Sequence, residues 1–141
     1  MARFTFSLFL FAILIAGIGC ASSNRLSTPS GKPEVFIRHV GKEKARAVLV
    51  QMLSNEGMHV ANETPSTLTL LKKREGGFWT YRKEEYTFIF WSHEDGTKVF
   101  ANGRYAYDPD ERKYPPQDME NESDLNRLQN ILNRLKTRLK K

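Results

Sequence analysis

Hydrophobic and polar residues alternate along the middle of the chain, and this alternation predicts β-strands. Aromatic side chains fall on every second position of residues 85–91, and residues 97–107 alternate in the same way. Between these stretches, Asp95-Gly96 is typical of a tight turn, because such a pair adopts positive φ angles readily. The pattern therefore predicts a β-hairpin.

Shorter alternating stretches predict three more strands, over residues 34–40, 58–62 and 67–73. The second and third are separated by a Glu-Thr-Pro-Ser turn, so we expect them to form a hairpin as well.

Two stretches have the three- and four-residue spacing of an amphipathic helix. The first covers residues 42–56 and ends at Gly57, a residue suited to the left-handed position after a helix. The second begins near Ser123, which we expect to act as its N-cap. Its apolar stripe would pack on a sheet, and Arg127, Arg134 and Arg138 would lie on the opposite side. A basic amphipathic helix lying on an anionic membrane is the alternative.

The predicted element order is β-α-β-β-β-β-α, which belongs to the α+β class. A single antiparallel sheet of about five strands, with two helices on one face, would bury both apolar stripes. We expect residues 34–141 to form this one domain, because the remaining chain is too polar or too apolar to join it.

The N-terminus has a different pattern. Arg3 is followed by residues 4–19 without any charge, and this run ends in Gly17-Ile18-Gly19-Cys20. The layout resembles a bacterial lipoprotein signal peptide, with Gly17 standing where an aliphatic residue is usual. The resemblance implies cleavage after residue 19, lipid on Cys20 and residues 20–33 as a flexible tether. A plain secretory signal or an uncleaved anchor helix are the alternatives. The resemblance also implies the outer membrane, with the domain facing the periplasm, because Ala21 stands where an enterobacterial inner-membrane retention signal has Asp.

The element order of the domain also resembles helix-grip domains of outer-membrane assembly lipoproteins, including the lipoprotein C subunit of the β-barrel assembly machine. This likeness carries over no functional residues, since one fold supports many functions.

Charge and composition narrow the function. The formal net charge is +6, and Arg3 is the only charged residue before Cys20. A mildly basic exported domain favours anionic lipid or protein partners, and we expect no nucleic acid. His39, His59 and His93 are far apart, and the only cysteine is Cys20, so no metal site, cofactor or nucleophile is indicated. We expect no enzyme activity.

Two surfaces are candidates for binding. Trp79 and Tyr81 stand among lysines and arginines in residues 72–83, a combination suited to sugars, lipid head groups or phosphates. Alternatively, these rings extend a strand and pack in the sheet. The second surface is the sheet face without helices, where Trp91 and Arg104 would contact a partner. The alternative is that a dimer mate or residues 74–83 cover this face.

The sequence thus favours a non-catalytic, membrane-anchored envelope lipoprotein that binds another envelope protein. The alternative is a binder of a cell-wall or lipid ligand through the aromatic-basic segment, residues 72–83.

Overall fold

The computed structural model describes residues 26–73, 83–106 and 115–140. Cys20, Trp79 and Tyr81, which carry the predicted anchor and the aromatic-basic segment, lie outside these residues. The described elements follow one another as β1 (Glu34–Arg38), α1 (Lys42–Ser54), β2 (His59–Glu63), β3 (Thr67–Lys73), β4 (Lys83–His93), β5 (Gly96–Ala106), β6 (Gln117–Asp118) and α2 (Glu122–Leu139).

These strands form one antiparallel sheet in the order β1-β5-β4-β3-β2, and β6 pairs with the far end of β5. Both helices pack on one face, so the predicted α+β fold is confirmed. The two-residue β6 was missed, because two residues carry no periodic signal.

The core lies between this face and the helices. Alternating residues of the central strands are almost fully buried there, and the helical stripes meet them. The large apolar residues that are at most 1% exposed are Leu68, Leu70, Tyr86, Phe88, Val99, Leu49, Leu53, Leu128, Leu132 and Leu135. The hydrophobic effect makes this layer the main source of stability.

The first helix ends as its sequence predicts. Gly57 has a φ of 81°, and the Met58 N–H donates to the Leu53 carbonyl at 3.1 Å, which is the longer bond of a Schellman motif. Arg46 is buried, and it ties the helix to the β2–β3 turn by donating to Glu63 at 2.9 Å and to the Thr64 carbonyl at 2.7 Å.

The second helix begins two residues earlier than predicted. Its N-cap is Asn121, whose Oδ1 accepts from the Asp124 N–H at 2.9 Å, so the expectation that Ser123 is the cap was wrong. Both residue types cap helices well, and local sequence does not separate them. The earlier start leaves the Asp124 side chain available to contact the sheet.

The β4–β5 hairpin depends on one glycine. Gly96 has a φ of 155°, and a Cβ at this position would lie 2.1 Å from the Ile37 carbonyl oxygen. Any side chain would therefore collide with β1. The positive φ anticipated for Asp95-Gly96 belongs to Gly96, since among the described non-glycine residues only His39 has a positive φ.

Candidate functional site

The sheet has a second face that no helix covers in the described part of the chain, called here the open face. Strand register places Trp91 beside Lys98, Lys98 beside Phe36 and Ile89 beside Phe100, all on this face. Their neighbours along each strand are buried on the helical side. The alternation of a strand thus delivers large apolar side chains to a surface facing solvent.

Four rings gather on the open face near the β4–β5 turn and are called here the hairpin cluster: Phe36, Trp91, His93 and Phe100. The Trp91 and Phe100 centroids are 4.9 Å apart at 64°, and those of Phe36 and His93 are 5.7 Å apart at 88°. Both pairs have the edge-to-face geometry that aromatic rings prefer. Trp91 nevertheless remains 55% exposed.

A cation and a buried carboxylate border this cluster. Lys98 Nζ lies 4.9 Å from the Phe100 ring centroid and 3.2 Å from Glu34 Oε2. Burial by itself would raise the pKa of Glu34, but hydrogen bonds from Ser30 and Lys98 and the charge of Lys98 hold that pKa below its usual value. Lys98 is therefore held beside the rings by a charged partner.

Arg104 lies at the other end of the open face. Its Nε donates to Glu85, and Lys83 Nζ lies 3.4 Å from the same carboxylate. Burial alone would raise the pKa of Glu85, but these two cations lower it. Six residues of strand separate Arg104 from Lys98, a span of about 20 Å. The structure therefore places Trp91 and Arg104 on one face but in different patches.

Lys73 and Lys83, the described residues nearest to the middle of the aromatic-basic segment, are register partners at the end of the sheet remote from the hairpin cluster. Trp79 and Tyr81 are outside the described residues, so their predicted contact role stays a prediction, as does the lipid on Cys20.

The helical face holds a polar network that sequence analysis missed. Tyr86 donates to Glu84 at 2.5 Å, and Tyr105 donates to Asp124 at 2.5 Å. Arg127 joins the two halves, donating to the Tyr105 hydroxyl at 2.8 Å and to Asp124 at 3.0 Å, with Glu84 at 3.5 Å. The expectation that Arg127 lies on the solvent side of its helix was wrong.

A signal for this network was present in the alternation of β4. Glu84 shares its parity with Tyr86, Phe88 and Phe90, so it had to enter the core face, where its side chain is 1% exposed. A buried carboxylate requires a cation or several donors. The chain supplies the cation from a residue 43 positions away, which local pattern cannot identify.

The chemistry of the network is that of a structural tie. Burial, followed by the bond to Glu84, raises the pKa of Tyr86, and burial with the bond to Asp124 raises that of Tyr105. Both phenols therefore stay protonated at neutral pH and act as donors. A cavity of about 460 Å³ lies beside Tyr86 and Arg127. On its rim, the two terminal nitrogens of Arg134 donate to the two carboxylate oxygens of Glu56, at 2.6 and 3.2 Å.

In the described ranges, no group of three or more His, Cys, Asp or Glu side chains is arranged to hold a metal ion. None of the helices among these residues is long and apolar enough to cross a membrane.

Fold and site together define an α+β domain that leaves one sheet face open and carries an aromatic cluster on it. Comparison of the chain with protein-family models, with curated proteins and with solved structures found no match.

Proposed function

We propose that this protein is a non-catalytic envelope lipoprotein that is anchored by lipid on Cys20 and binds a protein partner through the hairpin cluster. The observation that carries the proposal is the exposure of Trp91 on the open face. Tryptophan is the residue most enriched at binding hot spots, and here its ring is already held by Phe100. Holding the ring in advance reduces the entropy lost on binding.

The surroundings of Trp91 indicate the chemistry of the partner. Apolar rings in the cluster favour an apolar or aromatic contact residue, while Lys98 and the exposed Arg38 on the same face favour carboxylates at its border. Without Arg3 the net charge falls by one from +6, so the mature domain remains basic. We therefore expect a partner protein with an apolar patch bordered by acidic residues.

The N-terminal pattern supports the location. Lipid on Cys20 would hold the domain at the outer membrane, and residues 20–33 would let it reach partners in the periplasm. Several acyl chains, at roughly 0.8 kcal/mol per buried CH₂, give a stable anchor.

The test is photo-crosslinking in expressing cells, with a photoreactive residue placed at Asn102, an exposed position two residues from Phe100 on the open face. A partner captured through the cluster predicts one specific product, reduced about tenfold or more by Trp91→Ala, as expected for a hot spot. Val60→Ala is the matched control, because Val60 is the other large exposed hydrophobic residue in the described part of the chain and belongs to the distant strand β2.

Two outcomes would count against the proposal. Equal product from Trp91→Ala would show that the cluster is not the contact. Loss of sedimentation with cell wall or liposomes in Trp79→Ala and Tyr81→Ala, with partner capture intact, would favour the aromatic-basic segment and a cell-wall or lipid ligand.

A further inference from the structure

Strand β1 is an edge of the sheet, because among the described strands it pairs with β5 alone. The Ala101 N–H donates to the Pro33 carbonyl at 3.0 Å, and the His39 N–H donates to the Asp95 carbonyl at 2.7 Å. In an antiparallel pair such bonds recur at every second residue. The backbone groups of Val35 and Ile37 therefore also point at β5. Those of Glu34, Phe36 and Arg38 point outward, away from the sheet.

The outward backbone N–H and carbonyl groups of Glu34 are already paired. The Gln129 side chain of α2 accepts from the Glu34 N–H and donates to the Glu34 carbonyl, both at 3.0 Å. One side-chain amide thus takes the place of a neighbouring strand at Glu34. Within the described residues, the outward N–H and carbonyl groups of Phe36 and Arg38 make no hydrogen bond. The unpaired edge therefore runs from Phe36 to Arg38.

A cavity of about 710 Å³, called here the edge groove, lies along this unpaired edge, between β1, the start of α1 and the last turn of α2. Its lining combines apolar residues with five basic ones and contains no carboxylate: Phe36, Ile37, Val40, Leu139, Arg38, His39, Lys44, Lys136 and Lys140. The groove is therefore suited to a ligand that is both apolar and anionic.

Helix electrostatics does not explain two of the groove cations, Lys44 and Arg38, although it explains the lysines of α2. Lys136 and Lys140 lie at the C-terminal end of α2, where positive charge complements the helix dipole. Lys44 lies in the first turn of α1, where positive charge is unfavourable, and Gly41 gives that helix no side-chain cap. Arg38 is exposed and has no ion-pair partner among the described residues. A bound anion would stabilise both Lys44 and Arg38.

Residue His39 limits the length of the edge. Its φ is 58°, a left-handed conformation that is uncommon outside glycine, and it ends β1 at the wall of the groove. Such local strain is often found at binding sites.

We propose that the edge groove binds an extended acidic segment of a partner protein, which adds to β1 as a further strand. The backbone of the segment would pair with Phe36 and Arg38, as in other complexes formed by strand addition. Alternate side chains would point into the groove, with apolar ones against Leu139 and Val40. Carboxylates would meet Lys44 and Lys136. Trp91 is not part of the groove lining, although Phe36 and Arg38 contribute to both surfaces, and the groove does not depend on the lipid anchor.

Other occupants fit less well. A lipid phosphate has no donor for the outward carbonyl groups of Phe36 and Arg38, whereas a peptide supplies both donors and acceptors. A second copy of the chain, paired through β1, would bring Arg38 and Lys44 of both copies together and suffer repulsion. An acidic peptide satisfies both the backbone groups and the charges.

The test uses the full-length protein, as purified from expressing cells, and a labelled peptide probe. Every second residue of the probe is threonine, and the residues between are valine and glutamate in turn, so that both types share the face that points into the groove. Binding is measured by fluorescence anisotropy at about 0.15 M salt, where the Debye length is about 8 Å and charges outside the groove are largely screened. We expect Lys136→Glu to weaken binding about tenfold or more, because it reverses a groove charge. The matched control, Arg138→Glu, makes the same charge change outside the groove and should change binding less than about twofold.

A second probe has the same side chains but N-methylated backbone amides, so it keeps the charge and loses the donors of a strand. We expect it to bind about tenfold or more weaker. The reciprocal test changes the protein. Arg38→Ala removes the Arg38 charge, whereas Arg38→Pro removes both the charge and the outward N–H. Arg38→Pro should therefore weaken binding of the first probe more than Arg38→Ala does.

Three outcomes would overturn the proposal. Equal binding of the N-methylated probe would show that no strand is added. An equal effect of Arg138→Glu and Lys136→Glu would show attraction by net charge alone. Displacement of the probe by vesicles of anionic lipid, with tighter binding to the vesicles, would assign the groove to a membrane. Because Trp91 is outside the groove, Trp91→Ala should leave probe binding unchanged, which separates this site from the hairpin cluster.

Discussion

Trp91 packs against Phe100 in an edge-to-face arrangement with the ring centroids 4.9 Å apart, yet Trp91 remains more than half exposed to solvent. A ring in this position adds little to folding. We expect Trp91→Ala to lower the free energy of unfolding by less than about 1 kcal/mol. Phe88→Ala, on the same strand but fully buried, should cost about 3–5 kcal/mol.

Urea unfolding followed by far-UV circular dichroism measures both values. A cost for Trp91→Ala close to that of Phe88→Ala would identify the ring as part of the core, and the hairpin cluster would lose its claim to be a contact surface.

The N-terminal pattern makes a prediction about covalent structure. Intact mass should show the loss of residues 1–19 and the addition of acyl chains on Cys20, and the protein should partition into detergent. Cys20→Ser should carry no acyl chains and should leave the membrane or remain unprocessed.

An unlipidated wild-type protein cut at another position would show that Gly17 prevents lipoprotein processing. The location proposed above would then have to be abandoned, while the two contact surfaces would stand on their own tests.

The network around Arg127 makes a prediction about stability. Arg127→Met leaves the buried Glu84 carboxylate without that cation, so we expect a cost of about 3 kcal/mol. Arg127→Lys keeps the charge but lacks the fork that reaches both Tyr105 and Glu84, so its cost should be intermediate.

Adding Glu84→Gln to Arg127→Met should recover part of the loss, because it removes the buried charge that Arg127 had contacted. The cycle is completed by thermal unfolding of the wild type, Arg127→Met, Glu84→Gln and the double variant. Additive costs in the double variant would contradict an energetic link between Arg127 and Glu84.

The hairpin turn makes a steric prediction. Gly96→Ala would place a methyl group 2.1 Å from the Ile37 carbonyl, at a φ that disfavours side chains, so we expect a loss of about 3 kcal/mol or more. Gly41→Ala is the matched control, because no atom lies within 4 Å of its Cβ and its φ is −71°.

Chemical denaturation should therefore rank the two alanine variants far apart. Similar costs for both would mean that β1 moves away from the turn without penalty.

The ion pair between Glu34 and Lys98 makes a prediction about pH. The pKa of Glu34 is lower in the folded protein than its usual value of 4.5, so its contribution to stability is present above that value. The contribution is lost as pH falls through the folded pKa. We expect the stability difference between wild type and Glu34→Gln to shrink between about pH 6 and about pH 3.

Lys98→Met should flatten this dependence, since it removes the cation that lowers the pKa. Denaturant midpoints measured across that range provide the data, and a difference that grows toward low pH would contradict the assignment.

Much of the fold was predictable because its signals are local. Alternating aromatics marked the β4–β5 hairpin, the apolar stripe marked α1, and Gly57 marked its end. Two assignments that local sequence does not decide were wrong. Ser123 and Asn121 are equivalent caps by sequence, and Arg127 was placed in solvent by helical periodicity although Glu84 holds it against the sheet.

The sequence by itself determined the order of the elements and the two faces of each strand, because periodicity and turn chemistry act over a few residues. Only the tertiary structure decided which edge of the sheet stays unpaired and which charges meet. Gln129 reaches Glu34 across 95 residues, and the groove beside Phe36 exists only where β1, α1 and α2 converge. Contacts of this kind depend on how the elements pack, and no local pattern records them.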